Sequence, residues 1–151
     1  YVVVDVPLLV SNLTGVDAGT AFKAGTDRAL PATIVERLVH LIATVSPGAK
    51  KGSTAPYAYA DLRLIEAGAR QPRSLTAAFC DPVTARHGQS LARDAIEAAI
   101  RQLELFDKAY DRHEARRVMN ATGSDASALG PDLSLNALAA WAAQAVRAGM
   151  A

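Results

Sequence analysis

The sequence predicts a mixed α+β fold, with a βαβ core over residues 1–83 and helices over 84–151. Two patterns carry that expectation: a strand-like, helix-like, strand-like succession in the first half, and helical periodicity through the second. Composition agrees, because half of the 151 residues are hydrophobic and about a fifth are charged, the balance of a globular chain rather than a disordered one.

The first strand is expected in "YVVVDVPLLV", where Val2, Val4 and Val6 alternate with Tyr1, Val3 and Asp5, and Pro7 marks the exit from a sheet. A chain that opens in mid-strand without Met reads as a piece of a longer protein. "SNLTGVDAGTAFKAGTD" follows as a loop with room for a short helical turn. In "LPATIVERLVHLIATV" the residues Ile34, Leu38, Leu41, Ile42 and Val45 recur at helical spacing, so this helix should pack one face on the sheet, capped by Thr26 or Asp27 and stopped by Pro47-Gly48. "YAYADLRLIEA" is the second strand, with Leu62 and Leu64 on one side and Arg63 and Ile65 on the other. That order fits one βαβ half of a ferredoxin-like or RNA-recognition-type sheet.

Beyond it, "SLTAAFCDP" should form a short capped turn with Leu75, Ala78 and Phe79 facing inward. A long amphipathic helix is expected over 88–117, with Ile96, Ala99, Leu103, Phe106 and Tyr110 as its stripe and Glu97/Arg101 and Glu104/Lys108 as i,i+4 pairs. "NATGSDASALGPD" reads as a linker, and a closing helix carries Leu135, Leu138, Trp141 and Val146.

No apolar run approaches the about 20 residues that span a bilayer, and no signal-like segment precedes the first strand, so a cytoplasmic protein is expected. Cys80 is the one cysteine, which rules out an internal disulfide and is expected to be a small buried thiol. With His40, His87 and His113 it cannot make a Cys/His zinc site. "DRHE" (Asp111–Glu114) spreads its side chains around a helix instead of converging them on one ion. "SPGAKKGST" fails as a P-loop, because Gly48 and Gly52 are separated by three residues rather than four and no lysine follows Gly52. No nucleophile elbow is present, and the chain reads as a non-enzyme without cofactor or metal.

The net charge of +1 gives no reason by itself to expect a nucleic-acid partner. Its distribution does: Lys50, Lys51, Arg63, Arg70 and Arg73 stand against Asp61 and Glu66 between Ser46 and Arg73. Gly48 and Gly52 let backbone N–H groups approach a phosphate, Lys50 and Lys51 supply charge, and Ser53, Thr54 and Tyr57 supply neutral donors. Such a segment can position a sugar-phosphate strand without reading its bases.

The opening valine-rich strand, "LVHLIATVSPGAKKGSTAPYAYADLRLIEA", "QPRSLTAAF", the "YDR" of the long helix and "LSLNALAAWAAQAVRAG" together resemble the C-terminal half of the CasC family, the backbone subunits of type I-E CRISPR Cascade complexes. The resemblance implies a modified RNA-recognition palm, several copies stacked along a guide RNA (crRNA), contact with other Cascade subunits, and target DNA engaged through guide pairing in antiviral defence. It also implies that Lys50 and Lys51, then Gly48, Ser53 and Thr54, lie near the guide backbone. Two other readings compete: a packing module with a solvated lysine loop, and an enzyme using His113 with Asp111 or Glu114.

Overall fold

The computed structural model of the chain describes residues 1–45, 59–84 and 90–150. In order, the elements are α1 (Val6–Thr14), a 3-10 turn (Ala18–Thr20), α2 (Ala29–Thr44), β1 (Leu62–Ala67), a 3-10 turn (Thr76–Phe79), α3 (Leu91–Tyr110), β2 (Ala115–Asn120), a 3-10 turn (Ser127–Leu129) and α4 (Leu135–Ala148). The class is mixed α+β, as expected, and β1–α3–β2 forms the βαβ-like element. The chain divides into a helical unit (Val2–Ala60, Ala67–Ala69, Ser134–Ala151) and a sheet unit (Tyr1, Asp61–Glu66, Arg70–Leu133).

In the helical unit the expected first strand is absent: Tyr1–Asp5 belong to no strand, and α1 begins at Val6. The reason lies in "DVP". Asp5 has extended backbone and its Oδ1 accepts the Leu8 N–H at 2.9 Å, which makes it an N-cap. Pro7 then falls in the first turn, where its missing N–H costs nothing. Val6 and Val10, four residues apart, are both buried.

α2 and α4 pack on each other. α4 buries Leu138, Ala139, Ala142, Ala143, Ala145 and Val146, a surface of small side chains that lets another helix approach closely. α2 answers with its own small face, Pro31, Ala32, Val35 and Ala43. The stripe expected to meet a sheet is therefore rotated away, leaving Ile34 36% and Leu41 55% exposed. Asp27 does serve the start of α2, accepting the Ala29 N–H at 2.9 Å. Arg28 Nε and Nη2 donate to the Arg147 carbonyl at 3.1 and 2.8 Å, placing a cation on the negative end of α4.

In the sheet unit β1 and β2 form a two-stranded antiparallel sheet. The Ala121 N–H donates to the Asp61 carbonyl at 2.7 Å, which sets Leu64 opposite Val118 and Ile65 opposite Arg117. Leu62 and Leu64, on the face expected to be apolar, pack with Ile96, Ile100, Leu103, Val118 and Leu129.

Two expectations about this half are corrected. The long helix stops at Tyr110, because Asp111 adopts a left-handed conformation (φ 46°), and residues 115–117 turn into β2. The "NATGSDASALGPD" stretch is also more than a linker: Ala126 and Leu129 are core residues. Pro131–Leu133 line the outer edge of β2 through bonds from the Val118 N–H to the Pro131 carbonyl (3.0 Å) and from the Leu133 N–H to the Val118 carbonyl (2.7 Å). Phe79 and Cys80, expected inside, are exposed on the turn that follows Leu75.

Candidate nucleic-acid interface

Gly48, Lys50, Lys51, Ser53 and Thr54, singled out in the sequence, lie outside the described residues. The ends that frame them are described. Val45 donates its N–H to the Leu41 carbonyl, and the Ala60 N–H donates to the Ala43 carbonyl, both at 2.9 Å. The chain thus returns to the turn of α2 from which it departed, and then runs directly into β1.

The sheet has two chemically different faces. On the α3 face, Glu66 and Arg116 follow the parity of Leu64 and Val118 and join Asp107 of α3 and Arg73 of the β1–α3 connection. Arg73 Nη2 lies 2.7 Å from Glu66 Oε1 and 2.7 Å from Asp107 Oδ1, while Arg116 Nη2 donates to Asp107 Oδ2. The Arg73 side chain is only 8% exposed, so this is a desolvated cluster in which each charge depends on its neighbours. Burial pushes the Asp107 carboxyl up, but hydrogen bonds from Arg73 and Arg116 and their positive charges outweigh it and hold it below the usual carboxylate range. Burial likewise opposes the charge on Arg73, and Glu66 and Asp107 overcome it.

A second pair lies just beyond α3. Arg112 donates from Nε and Nη2 to Glu114 Oε1 at 2.9 and 2.7 Å, and from Nη1 to the Gln71 carbonyl at 2.8 Å. Those side-chain bonds are the main reason the Glu114 carboxyl sits below its ordinary value. Arg70 Nη1 donates to the Tyr110 and Asp111 carbonyls, at 3.2 and 2.8 Å, and so closes the C-terminal end of α3. Arg70 and Arg73, counted in the basic excess of the sequence, thus hold the fold together.

The opposite face carries Arg63, Ile65, Arg117 and Met119, all half-buried. Arg63 Nη1 donates to the Leu62 carbonyl at 3.3 Å, and Arg117 Nη1 to the Arg116 carbonyl at 2.6 Å. Burial lowers the Arg63 guanidinium from its ordinary value.

The geometry gives "DRHE" no common centre: Asp111 is exposed in its left-handed turn, His113 is exposed, and Glu114 is engaged by Arg112. Among the described residues no group of three or more His, Cys, Asp or Glu is placed to hold a metal ion. No helix among them is long and apolar enough to cross a membrane. An open pocket of about 460 Å³ is lined by Asn120, Ser124, Asp125, Ser127, Pro131 and Asp132 among others. Its two carboxylates disfavour a phosphate, and Asp125 is held in its charged form chiefly by the Ser127 N–H.

Sequence reasoning missed the Glu66–Arg73–Asp107–Arg116 cluster. A signal was present in "ARRVMN", where Arg116 shares the parity of a core valine and must therefore find a buried partner. A search of curated proteins returns no match. The sequence model of the CT1975-like proteins, a CRISPR-associated family, matches residues 1–143, nearly the whole chain, and the chain belongs to that family.

Proposed function

We propose that the chain is the guide-RNA-binding backbone subunit of a type I-E Cascade-like CRISPR complex, of the CasC kind. It contacts the crRNA backbone, packs against copies of itself and other complex subunits, and meets target DNA through guide pairing. Its role is binding rather than catalysis. The observation that carries this reading is membership of a CRISPR-associated family over residues 1–143. The chemistry of "SPGAKKGST" supports it, with glycines for close backbone approach and Lys50 and Lys51 for phosphate charge. In such systems base pairing reads sequence while the protein holds the guide through backbone and shape.

The test is binding to an unstructured single-stranded RNA across a salt series, comparing wild type with Lys50→Ala/Lys51→Ala. Binding that weakens with salt, and a log-log slope smaller by about 1.4 in the double variant, supports phosphate contact by the two lysines. Absence of binding at low salt overturns the reading for this chain. A second reading, a packing module without RNA affinity, draws on the exposed apolar residues Leu30, Ile34, Leu41 and Val45 of α2 and its end. It predicts concentration-dependent association with no response to RNA.

A further inference from the structure

β1 has a paired side and an open side. Because the Ala121 N–H bonds to the Asp61 carbonyl, Asp61, Arg63, Ile65 and Ala67 turn their backbone groups toward β2, while Leu62, Leu64 and Glu66 turn theirs away. The outward side of β2 is closed: Val118 exchanges bonds with Pro131 and Leu133, and the Asn120 N–H donates to Asp132 Oδ1 at 3.2 Å. On β1, Arg63 Nη1 covers the Leu62 carbonyl. Among the described residues no backbone group meets the outward N–H or carbonyl of Leu64 or Glu66. Leu62 and Leu64 are half-buried at the margin of the core that Ile96, Leu103 and Val118 form.

A bare strand edge is a template for one more strand, and the same chain carries a segment suited to the place. Tyr1–Val4 is an aromatic residue followed by three valines, a composition that favours strands. All four residues are exposed, none belongs to a strand, and among the described residues none makes a backbone–backbone hydrogen bond. Asp5 caps α1 and Val6 is buried, so the helix anchors the downstream end of the segment without using the segment itself. Val2 and Val4 share one parity and Tyr1 and Val3 the other. Laid beside Leu62–Glu66, one parity extends the apolar side of Leu62 and Leu64, and the other flanks Ile65.

We propose that Tyr1–Val4 of one copy adds as a strand to the Leu62–Glu66 edge of a second copy. Leu64 and Glu66 then gain ladder partners, and the exposed valines leave water. Two copies that exchange segments close as a pair, and copies that do not exchange them add head to tail. This contact deepens the copy-packing part of the reading above and rests on that part alone, not on RNA affinity. It also uses a surface other than the exposed apolar residues of α2.

The test is sedimentation velocity of the whole chain over a concentration series without RNA. Three proteins are compared: wild type, Val2→Pro/Val3→Pro and Leu41→Glu, with circular dichroism to check folding. Consecutive prolines remove one N–H of each parity, so the segment cannot complete a ladder whichever side it presents. Wild type and Leu41→Glu should associate with rising concentration, and the proline variant should lose that association. In wild type, amide exchange at Leu64 and Glu66 should slow as concentration rises, which answers the question even if the proline variant fails to fold. A wild type that stays monomeric overturns the inference, including one whose Leu64 and Glu66 amides are already protected by its own segment. Association that survives the prolines, or that only Leu41→Glu abolishes, overturns it too. RNA titration of the same proteins reads the guide-binding role separately. A monomer that binds RNA sinks this inference alone, whereas segment-dependent association without RNA binding leaves it standing while the guide-binding role falls.

Discussion

Arg73 and Asp107 meet with Nη2 and Oδ1 2.7 Å apart, tying the connection after β1 to the side of α3. Asp107 offers its other oxygen to Arg116 of β2, so one carboxylate joins three parts of the sheet unit. Removing it leaves two guanidiniums, 8% and 16% exposed, without that partner. Asp107→Ala should therefore cost about 3 kcal/mol of stability, measured by urea unfolding. A loss below about 1 kcal/mol would mean that water or rearranged side chains satisfy both arginines.

The same cluster and the separate Arg112–Glu114 pair set a response to acid. Asp107 and Glu114 both have folded-state carboxyls below their ordinary values, so the folded form binds fewer protons than the unfolded one in that range. Their contribution is fully present above the unfolded carboxylate values, about pH 4, and is lost as pH falls through the lower folded values. Thermal melts between neutral pH and pH 2.5 (roughly the span of the linkage) should show falling Tm on the acid side. Asp107→Asn should flatten that fall while lowering Tm at neutral pH.

Leu129 is 1% exposed and packs with Ile96, Leu103 and Val118, although it sits in a stretch that reads as a linker. Leu129→Ala should cost about 2–5 kcal/mol through lost transfer energy and the cavity left behind. Leu105, 62% exposed on α3, is the control: Leu105→Ala should shift stability by no more than about 0.5 kcal/mol. Equal effects in chemical denaturation would refute the placement of the 127–129 turn in the core.

Gly130 follows that turn with φ 137°, a conformation that side chains rarely adopt, and an added Cβ would lie 3.2 Å from the Arg116 carbonyl oxygen. Gly130→Ala should destabilise by about 1–3 kcal/mol. Amide exchange should quicken at Val118 and Leu133, whose N–H groups bond across this junction. Unchanged exchange there would show that the junction tolerates the side chain.

On α2, Leu41→Glu should leave the melting temperature nearly unchanged, because Leu41 is 55% exposed. Val35→Asp should unfold the helical unit, since Val35 is buried and the side chains of its face, Pro31, Ala32 and Ala43, offer neither a hydrogen-bond donor nor a counter-charge. The reverse ranking would restore the face that the sequence periodicity first indicated.

Local pattern by itself determined a good deal. The alternation in "LRLIEA" selected β1 and its apolar side, and helical spacing located α3 and α4, whose N-caps, Ser90 and Ser134, the structure identifies. The phosphate-like chemistry of "SPGAKKGST" was also legible, because glycine, lysine and hydroxyl side chains carry it wherever they stand. Which side of a helix is buried was left to tertiary structure. Apolar residues surround α2 on more than one side, and the shape of the Ala-rich partner α4 chose the small face. Tertiary structure likewise decided the fate of the charges. Arg63 and Arg73 are the same residue type, yet Arg63 stands on the sheet face opposite α3 while Arg73 is enclosed by Glu66 and Asp107, because the connection after β1 brings Arg73 against α3.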